Sequence, residues 1–543
     1  MNRLRVVVIV VAALWGATMM PAFGSAGVAG SAGSDPGQAT SIAGCAATAG
    51  VGETKQAAPA GSDGVMAGMP GMDHSPSRHS TQELRERLAR TPSGGTLTVQ
   101  PGIYRGALVI DRPVTLVGVG HPVIQGDGTG TVLTIRAAGT VVRDVMIEGS
   151  GPGPVNNPAG VSVEADRVVV KNVHISDTYT GVWVEGVEDA QIIGNAIEGR
   201  RAVSVSGATP AVMDAGVAKE MDDMPMGSTH GKARAGRGDG VSLFNAIRPV
   251  VAGNTIANVR DGVYLSYGKG TRIECNSVAG SRYAIHSMYG RTVTVADNHF
   301  ATNQSGPVMM YGGPVTLDGN VISDQRSAAT GFGILLLDVG GARLIRNVIV
   351  SNRVGLQIEG AVGNSQSTAV ELNTIALNQV GVGLYPTADA ILSQNSMVEN
   401  TVQVLGLGPD GGGGNSRWSH NRVGNYWSNY RGFDRSESSV GKIPHVEGAA
   451  AGRLLAGDTT LLALASSPAF TLVRAVEQRS VGQRPVVVDR FPIANPRSPS
   501  MPAAATRTAL GTGLVGVSSL AICLLVLLRY TRRNQLSSGR KRP

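Results

Sequence analysis

The chain has 543 residues and a formal charge of +8, with 74 glycines and only 4% Phe, Tyr and Trp. That balance counts against a helical bundle or an aromatic-centred core and favours a fold that turns every few residues. Lysine and arginine are dispersed except at the two ends, so the charge does not mark a nucleic-acid surface and no nucleic-acid partner is expected.

Residues 1–26 read as a signal peptide: Arg3 and Arg5, an apolar run from Val6 to Met20, then small residues around Gly24–Ala26. The mature protein is therefore expected outside the cytoplasm. Residues 27–79 form a glycine-rich, polar leader that ends in VMAGMPGMDHSPSRH, carrying Met66, Met69, Met72, His74 and His79. Such a segment cannot bury a hydrophobic face, so its methionines are not core fillers. Thioether sulfur is a soft donor suited to Cu(I), and imidazole accompanies it in either copper oxidation state. Cys45 sits in a lipidation-like tetrapeptide, but too far beyond the apolar run to be lipidated. With Cys275 and Cys523 it completes the cysteine inventory, and no disulfide scaffold is implied.

Ser80-Thr81-Gln82-Glu83 is a capping box opening a short helix, placed to close whatever follows. From about residue 80 to 445 the chain repeats. Segments led by asparagine start at Asn195, Asn254, Asn276, Asn298, Asn320, Asn347, Asn373, Asn395 and Asn421, with gaps of 59, 22, 22, 22, 27, 26, 22 and 26. A base period of 22 with alternating runs such as GVYLSY and GLQIEG fits one coil of a parallel β-helix. Glycine supplies the turns, small Val and Ile fill a narrow interior, and asparagine can stack coil on coil with its amide bonding along the ladder.

The 59-residue gap holds one coil and an insertion at about 205–238, where Met221, Met224, Met226 and His230 repeat the soft-donor chemistry of the leader. Superposing the coils at 22 residues aligns GVYLSYG (Gly262–Gly268), AIHSMYG (Ala284–Gly290) and GPVMMYG (Gly306–Gly312). Alternation then turns Val263, Leu265, Ile285 and Ser287 inward and Tyr264, Ser266, His286, Met288, Val308 and Met310 outward. Met288 and Met310 become neighbours on adjacent rungs, with His286 two positions from Met288 on the same face. One imidazole and two thioethers there form a candidate fixed Cu(I) site, which His299 could complete. Tyr289 and Tyr311 form a neighbouring pair suited to packing or shielding.

Residues 446–500 are an extension of amphipathic and Pro-rich sequence that can cap the last coil or dock a partner. Residues 510–528 are uncharged and apolar, expected to be a transmembrane helix, and the basic residues of 529–543 place its end in the cytoplasm.

RYAIHSMYG (Arg282–Gly290), VMMYGGPVTLDGN (Val308–Asn320), GNYWSNYRGFD (Gly424–Asp434) and SSPAFTLVRAVEQRSVGQRPVVVDRFP (Ser466–Pro492) together resemble the NosD family of accessory proteins. The resemblance spans roughly residues 81–495. It implies an exported right-handed β-helix that works with the ATPase and permease subunits of an ABC-type complex. It further implies help in delivering copper to the catalytic copper–sulfur cluster of nitrous oxide reductase. No Gly-x-x-x-x-Gly-Lys-Ser/Thr loop occurs, so nucleotide use would fall to a partner.

The fold expected is thus all-β: a right-handed parallel β-helix with a short N-terminal capping helix and a C-terminal transmembrane helix that anchors it to the membrane. The function expected is copper binding rather than catalysis. The alternative is a polysaccharide lyase or uronan epimerase, since parallel β-helices also carry such activities. Asp261, Glu274, Asp297, Asp318 and Asp338 form no evident matched pair for that chemistry.

Overall fold

The computed structural model describes residues 78–499 except 154–155, 201–236, 326, 328–329, 361–366, 409–412, 433–438 and 449–484. Short strands recur three to a coil and pair only with their counterparts in the coils before and after. This produces three long parallel sheets, one of 14 strands and two of 12, wound into a right-handed β-helix.

The interior follows from one apolar residue per rung. Ile256, Val278, Phe300, Ile322, Ile349, Ile375 and Met397 lie in register on successive coils, each at most 1% exposed. Burying each side chain stabilises by about 1.5–3 kcal/mol, and a single coil could not do this alone because its neighbours form the walls.

The asparagines do what their spacing suggested. Asn276 donates its backbone N–H to Asn298 Oδ1 at 2.8 Å and its side-chain amide to the same oxygen at 2.9 Å, and Asn298 repeats both bonds to Asn320. The ladder runs from Asn195 through Asn395, with one correction to the sequence register. Its last asparagine is Asn425, which accepts from Asn395 N at 3.1 Å, while Asn421 sits in a turn at φ 48°. A second ladder went unread in the sequence. Asn303, Gln325, Asn352, Asn378 and Asn400 pass the same backbone-to-carboxamide bond from coil to coil.

The residue before each rung of the first ladder from Asn195 to Asn395 takes the left-handed conformation that turns the chain between sheets. Gly194, Gly253 and Gly319 meet this without penalty at φ 64–66°, whereas Arg346 and Leu372 occupy it with a Cβ.

At the N-terminal end the helix Thr81–Arg90 lays Leu84 and Leu88 over the first coil, both nearly fully buried. Ser80 is its N-cap and accepts from Gln82 N at 3.1 Å. Glu83 bonds His79 at 3.1 Å. At the other end Tyr426–Trp427 joins the 14-stranded sheet, and His445–Glu447 pairs antiparallel with Val487–Asp489.

One expectation needs correction. No helix among the described residues is long and apolar enough to cross a membrane. The transmembrane helix at 510–528, and with it the membrane-anchored location and membrane contact, therefore finds no place in the described fold; residues 510–528 themselves lie outside it, as do the signal peptide and the tail at 529–543. Cys275 is disulfide-bonded. The other two cysteines, Cys45 and Cys523, lie outside the described residues.

Candidate functional site

The strand Tyr283–Met288 sends Ile285 into the core and turns His286 and Met288 to the opposite face. The next strand, Ser305–Met310, repeats the pattern, with Met309 in the core and Val308 and Met310 outside it. Register pairs His286 with Val308 and Met288 with Met310, one rung of about 4.8 Å apart. The superposition at 22 residues therefore matches the register, with His286, Met288 and Met310 on one face of two adjacent rungs.

Outward does not mean exposed. His286 is 3% exposed, Val308 1% and Met310 8%. Val308, Met310 and Leu335 form a second apolar cluster, separate from the core, with Tyr283, Phe332 and Leu337 packed against it. Large apolar residues at outward positions of three successive coils bury one another, an effect that a strict in-out alternation misses.

His286 is held from one side. Its Nδ1 lies 3.1 Å from Asp261 Oδ2, on a side chain that is itself fully buried. Arg282 grips the same carboxylate as a fork, Nε to Oδ1 at 2.9 Å and Nη2 to Oδ2 at 2.7 Å. Burial pushes the Asp261 carboxyl up, but the bonds from His286 and Arg282 outweigh it and hold the group well below the usual carboxylate range. Tyr264 and Tyr283 set their rings edge-on to the imidazole, with centroids 5.3 and 5.1 Å away. The Tyr264 hydroxyl reaches to 4.0 Å from Met288 Sδ.

One coil earlier the same fork recurs: Arg260 binds Asp239 at 2.8 and 2.7 Å. There the rung paired with His286 carries Tyr264 instead. The ion pair is thus a repeated element, and the histidine is added to it once.

Asp261 and Arg282 are the residues that sequence reasoning missed. Asp261 was set aside as an unmatched acid, whereas it is matched to a base and a cation. The available signal was the recurrence of Asp and Arg at 22-residue spacing, Asp239 with Asp261 and Arg260 with Arg282.

Other expected site residues are not gathered here. His299 is exposed on the 14-stranded sheet, paired with Ser277 and Val321, and so does not complete a site built on a 12-stranded sheet. His79 bonds Glu83 and stacks on Tyr104 beside the N-terminal helix. Met66, Met69, Met72 and His74 of the leader, and Met221, Met224, Met226 and His230 of the insertion, lie outside the described residues. The tyrosine pair grows to three: Tyr267, Tyr289 and Tyr311 stack at 4.8 and 5.6 Å along the edge of the methionine rungs, all substantially exposed.

No group of three or more His, Cys, Asp or Glu among the described residues could hold a metal ion. What the site offers instead is a soft donor set. An imidazole that donates Nδ1–H to a carboxylate keeps its lone pair at Nε2. Met288 and Met310 stand on the same face one rung apart, Met310 within the outer apolar cluster, and imidazole with thioethers is a donor set that fits Cu(I) and serves hard divalent ions poorly.

Residues 223–432 match the family model described as "Periplasmic copper-binding protein (NosD)". A Pseudomonas aeruginosa protein described as "Probable ABC transporter binding protein NosD" is 32% identical over 429 residues, covering 75% of this chain and 91% of the relative. A Stutzerimonas stutzeri protein of the same description is 31% identical over 407 residues, covering 72% and 85%. Both names describe a binding protein, in agreement with the expectation of binding rather than catalysis. Among solved structures, the catalytic domain of a GH87 alpha-1,3-glucanase superposes with a TM-score of 0.50 at 14% identity, over 67% of this chain and 71% of its own. A mannuronan C-5 epimerase module of Azotobacter vinelandii gives 0.47 at 16% identity, over 65% and 94%. At such identities the glucanase likeness speaks for the β-helix fold alone.

Proposed function

The chain belongs to the NosD family, and we propose that it is an exported, extracytoplasmic accessory protein that takes up copper as Cu(I) and passes it on. The acceptor is nitrous oxide reductase during assembly of its catalytic copper–sulfur cluster, and the protein acts in concert with an ABC-type transporter whose ATPase and permease are separate subunits. Copper here is cargo.

One observation carries the reading: His286, tied at Nδ1 to the buried Asp261, shares a face with Met288, which stands in register with Met310. One nitrogen and two thioether sulfurs hold Cu(I) firmly enough to collect it, and such soft ligands exchange readily with an acceptor's thiolate or sulfide. The Met/His tracts at Met66, Met69, Met72, His74 and His79 and at Met221, Met224, Met226 and His230 collect the ion weakly and raise its local concentration.

The test is a Cu(I) titration of the mature protein against a competing chromophoric chelator, paired with complementation of a deletion host. The His286→Ala/Met288→Ala double variant loses the tightest site, and its host accumulates reductase protein without the catalytic copper cluster. A double variant with full affinity and full reductase activity overturns the reading.

A further inference from the structure

Two buried Asp–Arg forks stand in register one coil apart, and only the second meets a histidine. Asp239 with Arg260 and Asp261 with Arg282 share bidentate geometry and deep burial of the carboxylate, at 2% and 0% exposed. The two aspartates grip their arginines in the same way, and the contact to a histidine is what Asp261 has and Asp239 lacks.

Resting on the copper reading above, we infer that Asp261 is a positioning residue for the Cu(I) site: it holds the Nδ1–H of His286 so that the imidazole presents Nε2 to the metal, and Arg282 holds Asp261. A neutral imidazole exists in two tautomers, and only the one protonated at Nδ1 keeps Nε2 free to ligate. An ionised carboxylate can only accept, so its placement 3.1 Å from Nδ1 selects that tautomer. The planar guanidinium of Arg282 takes one bond to each carboxylate oxygen, which fixes the carboxylate plane. Tyr264 and Tyr283, edge-on on the imidazole, resist its rotation. His286 thus enters the metal site already oriented, and copper need not supply the entropy of ordering it.

Two measurements test this. Nitrogen NMR of histidine-labelled, metal-free protein should find His286 protonated at Nδ1; the Nε2–H tautomer overturns the inference. Competition titration with Cu(I) should find Asp261→Asn weakened by about 10–100-fold, the usual loss for an outer-shell partner of a ligating histidine. Asparagine offers either an oxygen or an amino group to Nδ1 and no longer dictates the tautomer.

Asp239→Asn is the control for folding, because it loosens the same kind of fork and leaves His286 alone. It should keep wild-type affinity, and Asp261→Glu should recover part of what Asp261→Asn loses. X-ray absorption of the copper-loaded Asp261→Asn variant should retain sulfur scattering and show a diminished nitrogen contribution. Equal affinity in the two Asn variants, or an undiminished nitrogen shell, overturns the positioning role. Wild-type protein that takes up no Cu(I) overturns the copper reading itself, and the metal-free tautomer spectrum separates that failure from failure of the orienting contact.

Discussion

Asp489 accepts the backbone N–H of Asn425 at 2.7 Å through Oδ2, occupying the position that a carboxamide oxygen fills on every earlier rung of the ladder. The same oxygen takes the Trp427 indole N–H at 2.9 Å, and Oδ1 takes Phe491 N at 3.0 Å. A residue 64 positions along the chain thus ends the stack by imitating the next coil. A β-helix must close its last rung somehow, because an open end leaves buried donors without partners.

Asp489→Ala strands those donors and should lower stability by about 1–3 kcal/mol for each one left unpaired. Asp489→Asn keeps an acceptor oxygen in place and should cost much less. Urea denaturation of the two variants side by side distinguishes them.

The same position has a pH signature. Burial raises the Asp489 carboxyl above the ordinary aspartate value, although Asn425, Trp427 and Phe491 pull it back by hydrogen bonding. A carboxyl with a raised folded pKa binds its proton more tightly when folded. Its contribution is therefore complete below the unfolded value of about 3.9 and is lost as pH rises through the folded value. Wild type should show that loss between acid and neutral pH, and Asp489→Asn should lack it in melts recorded across the same range.

Within the ladder, Asn298→Ala removes the oxygen that both Asn276 donors use and the amide that reaches Ile273 O and Asn320 Oδ1. The orphaned Asn276 donors alone should cost about 1–3 kcal/mol each. A midpoint of urea unfolding equal to wild type would show that the ladder is decorative.

Met310→Leu nearly conserves volume and keeps the outer apolar cluster with Val308 and Leu335, so stability should change by less than about 1.5 kcal/mol. It removes one of the two thioethers paired across the rung. Cu(I) affinity should fall while the melting curve stays put; a fall in both would assign Met310 to packing.

Gly262 follows Asp261, and a Cβ built there would meet Val278 Cγ1 at 2.4 Å and the Ala284 carbonyl oxygen at 2.5 Å. Gly262→Ala should therefore destabilise by about 1–3 kcal/mol through overpacking. Thermal denaturation checks it, with a neutral result showing that adjacent coils can part by several tenths of an ångström.

Much of this molecule is legible in one dimension because a solenoid is nearly one-dimensional. A contact between neighbouring coils is a recurrence at about 22 residues, so the parallel β-helix, the first asparagine ladder and the pairing of Met288 with Met310 follow from spacing alone. The register slips only where the period breaks: the true last rung is Asn425, 30 residues after Asn395, because a longer loop intervenes. Tertiary structure decided what spacing cannot encode. Asp261 meets His286 across 25 residues, one coil plus three, because the turn of the strand brings a side chain from one end of a rung beneath the middle of the next. His286, Val308 and Met310 are buried although they face away from the core, because neighbouring outward side chains shield them in three dimensions. Asp489 reaches the final rung from beyond the repeats, and no periodicity announces a residue that occurs once.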